Sequence, residues 1–209
     1  MEDVRYGVFL RPDPATCWAV TQITDALRAQ FGLVSAGAFP PHATLVGNLR
    51  AASAAAVEAA IDEALDGVDS FPLHNAGVVA DGSCWLMDVN SDGAGDVNGP
   101  LTTLAARVRG AVLPLALPRE DYLVGPLDSP HFWAHLSLAS HDLLVDPRLS
   151  REVGDYIAGL PITWPTRSVA EVVSLFAFTA DWEGRWWDEL RWTHLRSWML
   201  PARKEQSNA

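Results

Sequence analysis

A chain of 209 residues with a formal net charge of -11 and a pI near 4.8 has no general field to attract a long nucleic acid. At 49% hydrophobic and 20% charged residues, it has the composition of a folded protein with a sizeable core, not of a disordered one. Cys17 and Cys84 fit neither a metal spacing nor a disulfide framework, and they read as buried free thiols of a reducing compartment.

Met1-Glu2-Asp3 does not open a secretory signal, and no apolar run approaches the ~20 residues needed to span a bilayer. The expected location is therefore the cytoplasm, with no membrane partner. The acidic balance leaves room for a small phosphate ligand, because one local site can be positive on an acidic protein.

In chain order, residues 4–10 predict a strand closed by Arg11-Pro12-Asp13-Pro14. Val20, Ile23, Leu27 and Phe31 recur at helical spacing and predict a helix over 16–31, with Gly32 at its C-cap. A strand follows over 42–49. The alanine-rich 53–66, with Val57, Ile61 and Leu65 on one stripe, predicts a second helix ended by Gly67. Residues 71–80 and 83–89 predict a hairpin turned at Asp81-Gly82.

The polar loop 90–99 has a calcium-loop look in Asp88, Asn90 and Asp92, but lacks the bidentate glutamate that closes such a loop. A helix over 100–112 and a proline-rich surface stretch over 114–131 come next. The chain then gives a strand through 132–138, a helix over 148–160 and strands over 169–179 and 186–200. The unit helix, strand, helix, strand occurs twice. This predicts an α+β fold with two similar lobes in one domain spanning 1–200, followed by a polar tail over 201–209.

Both predicted strands of the repeat carry the same pattern, His42-Ala43-Thr44-Leu45 and His135-Leu136-Ser137-Leu138. Side chains alternate along a strand, so each segment turns an imidazole and a hydroxyl to one face and two apolar anchors to the other. Two such strands supply two proton-transfer groups and two hydroxyl donors around one small anion. That is a workable phosphodiester site. Either histidine alone reads as an ordinary half-buried residue; the matched pair carries the functional reading.

The paired motifs resemble those of the two-histidine (2H) phosphoesterases, a family that includes 2′,3′-cyclic nucleotide phosphodiesterases and 2′,5′ RNA ligase-like proteins. Phe39-Pro40-Pro41 before the first motif and the element order over roughly residues 4–180 add to the resemblance. It implies a bilobal fold of antiparallel sheets with helices outside and a central groove across which the motifs face one another. It also implies hydrolysis of a small phosphorylated or nucleotide-like substrate, a 2′,3′-cyclic phosphodiester foremost, without metal or cofactor.

In that reading His135 is the base and His42 the acid, while Thr44 and Ser137 hold the nonbridging oxygens. Histidine suits both roles because its ordinary pKa near ~6.5 allows either protonation state at neutral pH. Two rival readings share the scaffold: a nucleotide-binding module without turnover, and recruitment to another acid–base reaction of a biosynthetic pathway. The single lysine, Lys204, and the tryptophan-rich segment from Trp182 to Trp198 depart from the family pattern.

Trp133 and His131 share parity with His135, which would turn all three to the groove and let Trp133 stack on a nucleobase, while core packing is the competing reading. Tyr6 on the first strand has the same two readings, and Phe39 is expected to wall the pocket. His131 and His135 would suit a metal pair on a helix, but Pro130 and the β-like run argue against one there, so no metal is expected. The tail tryptophans read as packing residues, and His74, His141 and His194 have no partner pattern.

Overall fold

The structure, a computed structural model, describes residues 3–117, 132–182 and 184–202. Its first half runs β1 (Arg5–Arg11), α1 (Pro14–Phe31), β2 (Ala43–Leu49), α2 (Ala54–Leu65), β3 (Phe71–His74), β4 (Gly77–Asp81) and β5 (Cys84–Asp88). The second runs α3 (Gly99–Val112), β6 (His135–Ala139), α4 (His141–Val145), α5 (Ser150–Gly159), β7 (Arg167–Ala170), β8 (Val172–Thr179) and β9 (Arg191–Met199). Local chemistry sets the helix ends. Asp13 accepts from the Thr16 N–H at 2.8 Å ahead of Pro14, and Gly32 closes α1 in the left-handed region at φ 71°. Ser53 and Asn98 cap α2 and α3 in the same way.

Seven strands form one antiparallel sheet in the order β4-β5-β6-β2-β1-β8-β9, and β3 pairs with β7 in a small second sheet. The large sheet has a seam. β2 and β6 meet in a single registered pair, Ala43 with Leu136. About that seam the order is symmetric: β5 and β4 flank β6 as β1 and β8 flank β2. Helix α1 packs behind β6 and α3 behind β2, so each half sends a helix across to the other's histidine strand. The repeated element order in the sequence is this two-lobed α+β arrangement. β9 has no counterpart and forms an outer edge.

One face of the sheet is sealed by the helices. Val8, Leu10, Leu45, Leu136 and Leu138 meet Val20, Ile23, Leu27, Ile61 and Leu104 in one core. On the other face lies a smaller cluster of Phe9, Phe39, Phe176 and Phe178.

Several boundaries differ from expectation. The run 71–80 is not one strand. At Asn75 the chain leaves β3 for the large sheet, with the Asn75 amide N–H donating to Thr166 at 3.1 Å and its side chain to the Pro165 carbonyl. The run 169–179 is likewise shared between β7 and β8, and Glu171 at the break accepts from the Leu200 N–H at 2.7 Å. The second histidine strand starts at His135, not 132, and the short α4 has no signal in the hydrophobic pattern. Residues 118–131 of the proline-rich stretch and 203–209 of the tail lie outside the described residues. Among the described residues, no helix is long and apolar enough to cross a membrane.

Helix α5 lies flat on Trp85 because Gly154 has no side chain. A Cβ there would stand 2.0 Å from the indole, which is pinned by its N–H donating to the Ser150 carbonyl at 2.7 Å. Alanine gains about 1 kcal/mol in helix propensity over glycine, whereas overpacking costs about 1–3 kcal/mol and more against a fixed ring. Gly154→Ala is therefore expected to lower the denaturant midpoint at an unchanged m-value, for a net loss of about 1–2 kcal/mol. An unchanged or raised midpoint would contradict the close packing.

Candidate active site

The seam builds the site. Ala43 and Leu45 on β2, and Leu136 and Leu138 on β6, are at most 2% exposed and anchor both strands in the core. The alternating positions turn the other way. Extending the Ala43–Leu136 register by one residue each way sets His42 beside Ser137 and Thr44 beside His135. All four side chains line one cavity of about 510 Å³. The histidines thus come together side by side on the floor of the groove. Their strands are hydrogen-bonded neighbours at that seam.

Each imidazole is held by a carbonyl two residues upstream. His42 Nδ1 lies 2.7 Å from the Pro40 oxygen, and His135 Nδ1 lies 2.9 Å from the Trp133 oxygen. A carbonyl only accepts, so both Nδ1 atoms carry hydrogen and each neutral ring keeps its lone pair on Nε2. Proton transfer therefore falls to Nε2 in both.

The surroundings of the two rings differ. His42 meets the edges of Phe9 and Phe39, with ring centroids 4.3 and 4.8 Å away. Burial pushes its pKa from 6.5 down to about 4; the Pro40 carbonyl works against that shift, and charge on His135 adds to it. The Phe9 ring has room to lie there because Gly7 sits beneath it, where a Cβ would stand 2.2 Å from that ring.

Two further groups of residues frame the groove. Arg5, 4% exposed, is bonded by Asp3 at 2.9 Å and by Asn48 at 3.0 Å, and lies 3.9 Å over the Trp182 ring. At the other end, Asp142 accepts from the N–H groups of Val34 and Ser35 at 3.0 and 2.7 Å, while its own N–H donates to Ser35 Oγ at 3.2 Å. This latch ties the segment before the first motif to α4, just after the second. His141 beside it meets Trp186 and Trp187 at 4.9 and 5.6 Å, and burial pushes its pKa down against the pull of Asp142.

No protein-family model and no curated protein matches the sequence. Solved structures do, over nearly the whole chain. E. coli LigT complexed with NADP+ is 17% identical, at a TM-score of 0.54 with 96% of this chain and 99% of that one covered. LigT complexed with 3′-AMP gives 16% and 0.52 over 96% and 99%. A structure described as a phosphoesterase gives 16% and 0.52 over 94% and 98%. The chain has the two-histidine phosphoesterase fold. At this identity the likeness is one of fold.

Within that 2H fold, His42, Thr44, His135, Ser137 and Phe39 all line the groove. Tyr6 does not. It packs in the main core, because on β1 the core face takes Tyr6, Val8 and Leu10 and leaves Arg5 and Phe9 to the groove. Trp133 is also not a lining residue: its indole N–H donates to Asp88 Oδ1 at 3.0 Å, beside the His135 ring at 5.8 Å. Parity from His135 does not reach it, since the regular strand begins at His135. His131 lies outside the described residues.

The sequence reading missed Arg5, Phe9, Asn48, His141, Trp182 and Trp186, which also line the cavity. Arg5 and Phe9 were reachable, because the apolar parity of Val8 and Leu10 points them away from the core. Asn48, at φ 56°, carries no such signal. Among the described residues, no group of three or more His, Cys, Asp or Glu side chains is placed to hold a metal ion. In the calcium-like loop, Asp88 and Asp92 are spent on turn hydrogen bonds to Asn90 and Ala94 at 2.7 and 2.8 Å.

The half-buried His42 ring makes stability depend on pH. Its folded pKa lies below 6.5, so between pH 6.5 and about 4 the unfolded chain binds a proton that the native protein refuses. Stability is therefore full above that window and falls as pH drops through it, by at most about 3 kcal/mol. Denaturant titrations from pH 7.5 to 4 are expected to show the loss in the wild type and a shallower slope in His42→Gln. Equal slopes would place the ring in water.

Proposed function

We propose that the protein is a metal-independent phosphoesterase that hydrolyses a small nucleotide-like phosphodiester, most simply a 2′,3′-cyclic phosphate, by two-histidine acid–base catalysis. The observation that carries this reading is the floor of the groove, where two imidazoles of the same tautomer stand beside two hydroxyls on one face. Related folds solved with NADP+ and 3′-AMP support a nucleotide-sized ligand. The acidic chain favours a small one over a long RNA.

In the proposed step the phosphodiester monoanion lies over the floor, with the Thr44 and Ser137 hydroxyls donating to its nonbridging oxygens. His135 Nε2 takes a proton from water as the water oxygen bonds to phosphorus. The bond from phosphorus to one ribose oxygen breaks, and that oxygen leaves with the proton from His42 Nε2. One water is consumed and a phosphomonoester is released, after which the two rings return to their starting protonation states through solvent.

Burial keeps His42 neutral in the open groove, yet the acid must carry a proton. The substrate's own charge supplies the remedy, since an anion within a few ångström favours the imidazolium. Anion binding is therefore coupled to proton uptake, and its affinity falls as pH rises.

Turnover of nucleoside 2′,3′-cyclic phosphates is expected to persist in EDTA and to fall at least ~10²-fold in His42→Ala and in His135→Ala. Unchanged turnover in both variants would eliminate the reading. Calorimetry of sulfate, which does not titrate near neutrality, is expected to show uptake of about one proton at pH 7, lost in His42→Asn. Absence of uptake in the wild type would remove His42 as the acid.

A further inference from the structure

The β8–β9 connection crosses the groove from one lobe to the other. At its start the Trp182 N–H donates to the Asp3 carbonyl at 3.0 Å, and the Arg5 guanidinium covers the ring at 3.9 Å. At its far end Arg185 reaches Asp142 at 3.8 Å, while the buried Trp187 and the His141 ring pack together at 5.6 Å. Trp187, 6% exposed, is thus an anchor. Trp182 and Trp186 are different: both stay half-buried and both line the cavity above the histidines.

Their rings are 6.3 Å apart between centroids and only 32° from parallel. That is within the range of a direct aromatic contact, so the two indoles make one continuous π-surface on the wall of the cavity. Each indole is held by other contacts. Arg5 backs Trp182, and the His141 ring meets Trp186 nearly edge-on at 79° and 4.9 Å. Neither ring needs the other to keep its place. A pre-set π-surface loses little entropy when a ligand stacks on it.

We infer that Trp182 and Trp186 form a stacking subsite for the planar base of the substrate, making the strap a specificity element that selects nucleotides over simple cyclic phosphates. The inference rests on the phosphoesterase reading for the position of the reacting phosphate. Stacking on an aromatic side chain is worth ~1–3 kcal/mol per base, which is a ~5- to ~150-fold effect. It does not depend on which base is present, so the subsite sorts substrates with a base from those without one.

The test compares adenosine 2′,3′-cyclic phosphate with glycerol 1,2-cyclic phosphate, which has the same five-membered ring and no base. Trp186→Leu is expected to lower kcat/KM on the nucleotide at least ~5-fold more than on the glycerol compound, mainly through KM. Trp186→Phe restores most of that difference. Equal losses on both substrates, or no loss on the nucleotide, would overturn the inference. Binding of adenosine 3′-monophosphate, followed by calorimetry, separates the two readings. If the wild type cleaves neither substrate but binds this nucleotide with an affinity that drops in Trp186→Leu, hydrolysis fails and the stacking subsite stands. If affinity is unchanged in Trp186→Leu, the subsite fails whatever the enzyme cleaves.

Discussion

Everything in the groove depends on one hydrogen-bonded register, that of Ala43 with Leu136 across the seam. Side chains on paired strands repeat every second residue, so a slip of one position would drive the slipped strand's histidine into the core and expose its leucine anchors. The chain protects this register from behind. Leu45, Leu136 and Leu138 are each 1% exposed, and fully burying a leucine side chain is worth about 1.5–3 kcal/mol. The same residues are covered by α1 and α3, each reaching across from the opposite half. The core anchors and the groove-lining side chains are two faces of one pleat, and a shift that moves one set moves the other.

The site also has to hold polar groups in place without filling their working atoms. The Pro40 and Trp133 carbonyls achieve this for the imidazoles, using Nδ1 and leaving Nε2. Backbone acceptors two residues away cannot rotate off as a carboxylate could, which fixes each ring at little entropic cost. The Asp142 latch acts on a larger scale. Its carboxylate is 7% exposed and takes two backbone N–H donors from the segment leading to the first motif. Burying a carboxylate is costly unless such donors satisfy it. The latch therefore joins the approach to His42 to the turn that follows His135.

How much of this was legible in the sequence varies with how local the signal is. Helices α1 and α2 are legible in their 3.6-residue periodicity and in end residues such as Asp13, Gly32 and Ser53, and the histidine strands in the alternation of their His-x-Thr/Ser-Leu motifs. The repeated element order and the two motifs were enough to suggest the 2H fold. What failed were inferences that needed a tertiary partner. The runs 71–80 and 169–179 each look like one strand because nothing in their own residues says that two sheets will share them. Of the two readings open for Tyr6, the structure takes the core one, which the parity of Val8 and Leu10 favours, while Trp133 precedes the strand and follows no parity from His135. His141 and the strap tryptophans had no periodic pattern, since only folding brings the β8–β9 connection over the seam.

The pairing of β2 with β6 and of β3 with β7 makes the two halves nearly equivalent, and equivalent histidines would make a poor acid and base. β9 breaks that equivalence. It adds a strand to one lobe alone, and its Trp192 packs on Phe39 at 5.5 Å while the Trp192 N–H donates to the Ala38 carbonyl at 3.2 Å. Phe39, so held, closes over His42 together with Phe9, and that burial sends the His42 pKa well below its ordinary range. His135 has Trp133 tied to Asp88 at its side in place of such a cap. Two imidazoles that start with the same motif and the same tautomer are thus given unlike surroundings by a segment outside the repeat. Under the proposed chemistry, that burial keeps His42 neutral until the charge of a bound anion restores its proton.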